Sequence, residues 1–317
     1  MIRAALLAAA LAGPAGAAEI AAVTSQNAGV LTLVDAATLA VVSETPLPGK
    51  PAAAAVDGPR GRALAVAVET RRLHVFDAAG RERAAHPLPG APFGVAADPL
   101  TGHALVTDWE GWLHEVDPVT GAVLRSIRVG AVPCGVAVSP DGRMAVTADR
   151  DANALSLVDL AAGRILARVP VGEHPFGVTL RDGRAYSADV LSNTVSVVDL
   201  ASARVVATIP TGERPYAVAF AAGRGFVTNQ YDASLTVFDA ATLAPMGAVE
   251  VGEYPEGVAA TRDGRLLVAN WFDDTLSVVD PTTLEVTGTL DMPEGPRAFG
   301  LFVGEMADQP VGFSPLP

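Results

Sequence analysis

The sequence predicts an all-β ring: a seven-bladed β-propeller of four-stranded antiparallel blades. The ring is closed where strands from the N-terminus meet one inner strand from the C-terminus. Three observations carry this reading. A proline opens the same short phrase at Pro51, Pro92, Pro133, Pro175, Pro215, Pro255 and Pro296, with gaps of 41, 41, 42, 40, 40 and 41 residues. An aspartate ending a hydrophobic run recurs in step, at Asp35, Asp77, Asp117, Asp159, Asp199, Asp239 and Asp280. At the ends the two series do not match: Asp35 has no proline-led strand before it, and Pro296 has no aspartate after it. A period near 40 without helical periodicity selects radially stacked β units over a helical solenoid.

The elements follow in chain order. Residues 1–18 read as a secretory signal peptide: Arg3 is the positive start, Ala4 to Ala12 the apolar stretch, and Ala15-Gly16-Ala17 a small-residue cleavage site, with the cut near Ala17 or Ala18. The stretch is too short to span a bilayer, and no twin arginine or lipid-bearing cysteine accompanies it. Residues 19–304 form one propeller domain. Its first three strands fall at about Ala21 to Ser25, Val30 to Val34 and Ala40 to Leu47.

One full unit then runs from Pro133 to Val171. Val136 to Val138 is a short apolar strand, Asp141-Gly142 a hairpin turn, Met144 to Ala148 a second strand, Leu155 to Val158 a third, and Ile165 to Val171 a fourth. The innermost strands carry small residues, as in Gly135-Val136-Ala137 and Gly177-Val178, where a wedge narrows. Arg297 to Val303 supplies the missing inner strand of the first blade, and residues 305–317 read as a loose tail. Such closure protects strand edges.

Several second strands share a pattern: Ala145-Val146-Thr147-Ala148, Gly225-Phe226-Val227-Thr228-Asn229 and Leu267-Val268-Ala269-Asn270. With Pro-x-Gly-Val-Ala, Ser139-Pro140-Asp141-Gly142-Arg143 and Ser277-Val278-Val279-Asp280, they resemble YVTN-family propeller repeats over roughly residues 20 to 303. The resemblance implies a secreted or surface protein. It is similar to periplasmic propellers that accompany quinoprotein (PQQ-dependent) catabolism, and so implies an accessory of a periplasmic redox system. It says little about activity, because one fold hosts many roles.

Charge narrows the partners. The chain has a formal charge of −13, and loss of residues 1–18 removes only Arg3, giving −14. Nucleic acid and anionic lipid are disfavoured, and a basic periplasmic protein or a small cationic ligand is favoured. Cys134 is the one cysteine, so no intramolecular disulfide is available. No later stretch is apolar for long enough to span a membrane, and a periplasmic or secreted monomer is expected.

Candidate chemistry is sparse. His74 and His114 occupy a third-strand position held elsewhere by Thr32, Ser156, Ser196, Thr236 and Ser277, which reads as structural. No paired-histidine, CxxC, covalent-haem, serine-triad or phosphate-loop motif occurs, so neither a metal site nor a cofactor is expected. The position after each marker proline should face the channel mouth: Ala52, Phe93, Cys134, Phe176, Tyr216, Glu256 and Arg297. Glu256 and Arg297 read either as an ion pair across a blade seam or, with His174, as the site of a lyase or hydrolase.

Loops between second and third strands, and between blades, should emerge on one face. That face gathers Trp109, Trp112, Tyr216, Tyr231, Tyr254, Trp271 and Phe272 beside Asp149, Glu173, His174, Glu213, Glu253, Glu256 and Arg297. Aromatic anchors with acidic steering suit a docking surface or a cage for an amine. The favoured reading is a non-catalytic exported propeller that binds a partner or ligand there. A channel-mouth enzyme and a carrier of hard cations on rim carboxylates are the alternatives.

Overall fold

The structure is a computed structural model that describes residues 17–307. Residues 1–16 of the expected signal peptide and residues 308–317 of the expected tail lie outside the described residues. The described chain forms 28 strands, numbered β1 to β28, in seven four-stranded antiparallel sheets. Six sheets are built in chain order. Each of their inner strands starts at a marker proline: β4 (Pro51–Asp57), β8 (Pro92–Ala97), β12 (Pro133–Val138), β16 (Pro175–Arg181), β20 (Pro215–Ala221) and β24 (Pro255–Ala260).

The repeat markers have local causes. The marker aspartates accept hydrogen bonds from the turn that follows. Asp35 Oδ1 takes the amides of Ala37 and Thr38, and Asp239 Oδ1 takes those of Ala241 and Thr242. These Asx turns reverse the chain between third and fourth strands, and they hold the carboxyls of Asp35 and Asp239 below their usual range.

Glycine stands two residues after the proline in β8, β12, β16 and β24 because neighbouring inner strands come too close for a side chain. A Cβ on Gly177 would overlap the carbonyl oxygen of Tyr216, one blade on. Between blades the sheets pack through Val, Leu and Ala. One such cluster joins Leu33, Phe76, Leu267 and Phe302 across the ring closure.

Closure uses both ends of the chain. The seventh sheet has the order β28 (Val303–Met306), β1 (Ala18–Ser25), β2 (Val30–Asp35) and β3 (Val41–Pro46). Ala18 pairs with Met306 and Ala21 with Val303.

The inner strand is displaced from its expected position. Pro296 still bridges Ser25 and the Arg297 amide donates to Thr24 C=O at 2.7 Å, but residues 298–301 then leave β1 for the channel side of β4. There Ala53 bridges Phe299 in parallel, and the amides of Ala54 and Val56 donate to the carbonyls of Phe299 and Leu301 at 3.0 and 2.9 Å. The chain returns through Ala22 N–H to Phe302 C=O and only then pairs as β28. The expected break at Gly304 therefore falls inside a strand. The cause is β4 itself: Ala52 to Ala55 are small and fully or almost fully buried, and they leave room for this crossing segment.

Candidate functional site

Both loop sets emerge on one face, as the spacing predicts. They are stitched by backbone hydrogen bonds: Gln230 N–H donates to Arg214 C=O, Val190 to His174, Arg150 to Val132 and Trp271 to Tyr254. The residue before the marker proline is left-handed in most blades. His174 has φ 54°, Arg214 58° and Tyr254 53°. Gly295 holds the same conformation without strain, so side chains are kept at the other positions at some conformational cost.

The positions after the prolines do converge on the axis. Phe93 and Phe176 meet edge to face at 5.5 Å, and Phe176 lies 4.5 Å from Tyr216. Phe299, delivered by the crossing segment, packs on Phe93 at 5.9 Å and Phe176 at 5.1 Å. Trp109 stacks on Phe93 at 4.9 Å. Ala52 is the small member of the series and is fully buried. Aromatic rings thus plug the channel.

Glu256 and Arg297 are together, as expected. Arg297 Nε lies 2.7 Å from Glu256 Oε2, and both atoms are buried. The contact is close but not aligned as a hydrogen bond, so both atoms lack an aligned partner. Gln230 Nε2 donates to Glu256 Oε1 at 2.9 Å. Burial pushes the Glu256 carboxyl up, and Arg297 opposes this. The guanidinium also lies over the Phe93 ring, 5.4 Å from its centre. Burial raises the Tyr216 hydroxyl to about 12, with the Glu256 charge adding, so it stays protonated. Cys134 is buried, and its thiol is pushed up to about 12.

His174 does not join the ion pair. It lines a separate cavity of about 240 Å³ with Arg150, Phe176, Val190, Arg214, Tyr216, Gln230 and Tyr231. Gln230 stands between, touching the cavity and Glu256 alike.

A second aromatic cluster lies beside it. Tyr231 and Tyr254 are 5.3 Å apart, Tyr254 and Phe272 5.7 Å, and Tyr254 and Trp271 6.2 Å. Phe272 is 61% exposed and Tyr231 51%. Glu173, Glu213 and Glu253 are exposed on the adjoining loops, but none lines the cavity.

One expected surface residue belongs elsewhere. Asp149 is fully buried and accepts from Thr147 Oγ1 at 2.8 Å and Ser156 Oγ at 2.5 Å. It is a rung between second and third strands. Asp189 with Ser196, and Asn270 with Ser277, repeat the arrangement. His114 fills the same rung against Asp108, and His74 is likewise buried and bonded to Glu82, which accounts for both histidines structurally. Trp112 lies under Arg128, whose Cζ is 5.1 Å from the ring centre, and it does not line the cavity. Sequence reasoning missed Arg150, Arg214 and Gln230. A usable signal existed for Arg214, which stands at the same repeat position as His174.

Among the described residues, no three His, Cys, Asp or Glu side chains converge as a metal site would require. No described helix is long and apolar enough to cross a membrane.

Known structures give the fold. A chain of hydrazine synthase from Kuenenia stuttgartiensis superposes with a TM-score of 0.71 and 19% identity, over 80% of this chain and 90% of that one. A protein of unknown function from Desulfotomaculum acetoxidans superposes with a TM-score of 0.78 and 14% identity, over 92% and 99%. Identities this low carry the propeller architecture alone. No family profile and no curated protein sequence matches the chain.

Proposed function

We propose that this chain is a non-catalytic, exported binding propeller. Its loop face docks a basic partner protein, within a periplasmic redox system of the quinoprotein dehydrogenase type. The observation that carries the reading is the aromatic cluster of Tyr231, Tyr254, Trp271 and Phe272, in which Tyr231 and Phe272 are exposed and the other two half-buried. Large aromatics half or more exposed cost solubility unless something covers them, and they are the residue types that anchor interfaces. The exposed acids Glu173, Glu213 and Glu253 around them favour a partner of positive charge. Export and the YVTN-type kinship rest on the leader pattern and the repeat phrases.

An enzyme at the channel mouth has less support. Glu256 is engaged on both oxygens, by Gln230 and Arg297, under a plug of four aromatic rings. A general base needs an open route to its substrate.

The test is capture from a periplasmic extract on the immobilised chain, at low and high salt. Wild type should retain a basic protein that elutes with salt. Trp271→Ala and Glu253→Lys should each reduce retention. Unchanged capture by both variants removes the docking face.

A further inference from the structure

We propose that the cavity shared by the β12, β16 and β20 blades binds a small organic carboxylate with a flat apolar body. This site adjoins the docking cluster and shares Tyr231 with it, and its ligand has the opposite charge to the cation favoured by the sequence.

The chain carries 35 acidic residues against 22 Lys and Arg, so a cavity lined at random would lean acidic. This one is lined by Arg150, Arg214 and His174, and by no carboxylate. Arg150 is already paired with Asp151, Nε to Oδ1 at 2.7 Å. Among the described residues Arg214 pairs with no carboxylate, and its guanidinium rests over Tyr231, 5.4 Å from the ring centre. An arginine so placed keeps its planar fork for an incoming anion.

The site is built in advance. The Arg214 amide donates to Asn193 Oδ1 at 3.0 Å, and that of His174 to Asn153 Oδ1 at 2.9 Å. Their carbonyls accept from Gln230 and Val190. These bonds fix the left-handed backbone that carries both side chains. The remaining wall is apolar or aromatic: Phe176, Val190, Tyr216 and Tyr231. A volume of about 240 Å³ holds roughly eight waters, which suits a single ring with a carboxylate. A cage for an amine would need a carboxylate or an unengaged aromatic face. Here Tyr231 already faces a guanidinium.

The test is isothermal titration of the full chain with benzoate, benzylamine and inorganic phosphate. Benzoate should bind one to one and benzylamine should not bind. Phosphate should bind more weakly than benzoate, because it leaves the aromatic wall unused. Arg214→Gln and Arg150→Gln should each weaken benzoate about tenfold or more, and Arg214→Lys should weaken it less than Arg214→Gln. Thermal midpoints identify any variant that fails to fold, and the other arginine variant then decides.

Benzylamine binding as tightly as benzoate overturns the proposal. So does phosphate binding as tightly, benzoate affinity unchanged in the folded arginine variants, or no saturation by benzoate below about 10 mM. Phe272→Ala should leave benzoate binding intact while weakening partner capture, which separates failure of this site from failure of the docking face.

Discussion

Arg297 Nε lies 2.7 Å from Glu256 Oε2 across the seam where the last proline-led blade meets the closing blade. Both side chains are largely withdrawn from water, with exposures of 12% and 5%. Removing one partner leaves the other buried and uncompensated. Glu256→Gln should therefore cost about 3 kcal/mol of unfolding free energy. The double variant Glu256→Gln with Arg297→Met should recover most of it. Urea denaturation of the three proteins measures the coupling; independent, additive losses would show that the pair is not energetically coupled.

Phe299 should be the most sensitive apolar residue of the closure. It is 3% exposed and touches rings from two other blades. Phe299→Ala should destabilise by about 3–5 kcal/mol. Phe299→Leu should cost less, because more of the volume is kept. Thermal and urea unfolding check the order.

The buried rung carboxylates should give stability an unusual pH slope. Burial raises the native pKa of Asp149 and Asp189. The folded state then holds protons that the unfolded chain has released, so this contribution falls as pH rises from about 4 through the raised native values. The turn aspartates act in the opposite sense: Asp263, lowered to about 2, contributes stability that is lost as pH falls toward that value. Asp149→Asn, which copies Asn229 and Asn270 at the same repeat position, should stabilise at pH 7 and be neutral near pH 3. Unfolding curves at both values decide it, and destabilisation at pH 7 would show that the rung needs the charge.

Cys134 should be inert in the native protein. Its thiol is buried and titrates near 12, so almost no thiolate forms at pH 8. A colourimetric thiol reagent should react only in denaturant. Prompt reaction of the folded chain would place the sulfur at an open mouth.

Ending the chain at Leu301 should open the ring. Without β28 the inner edge of β1 is unpaired from Ala18 to Ala21, and such an edge invites association. Compared with a chain ending at Ala307, the shorter one should aggregate or lose its cooperative unfolding transition. Light scattering and circular dichroism report each.

The repeat was legible because its markers have local causes. A marker proline starts each inner strand from β4 to β24, and a marker aspartate caps each third-strand turn. The pairing of Glu256 with Arg297 was readable by repeat position. The path of residues 298–301 was not, because Ala298-Phe299-Gly300-Leu301-Phe302 has the composition of an inner strand. Its departure depends on the space beside Ala52 to Ala55, a tertiary fact. Asp149 looked like a rim acid because its hydroxyl partner, Ser156, lies seven residues on. The cationic cavity escaped notice because Arg150, His174 and Arg214 come from three blades, and the overall negative charge pointed the other way.

The latch between β1 and β28 also sets an order of assembly. The blade whose strands are synthesised first cannot be finished until Met306 has left the ribosome. At about 5–20 residues per second, the 281 residues separating Ser25 from Met306 take roughly 14–56 s to make. Throughout that interval the nascent chain lacks its final strand and the ring stays unlocked.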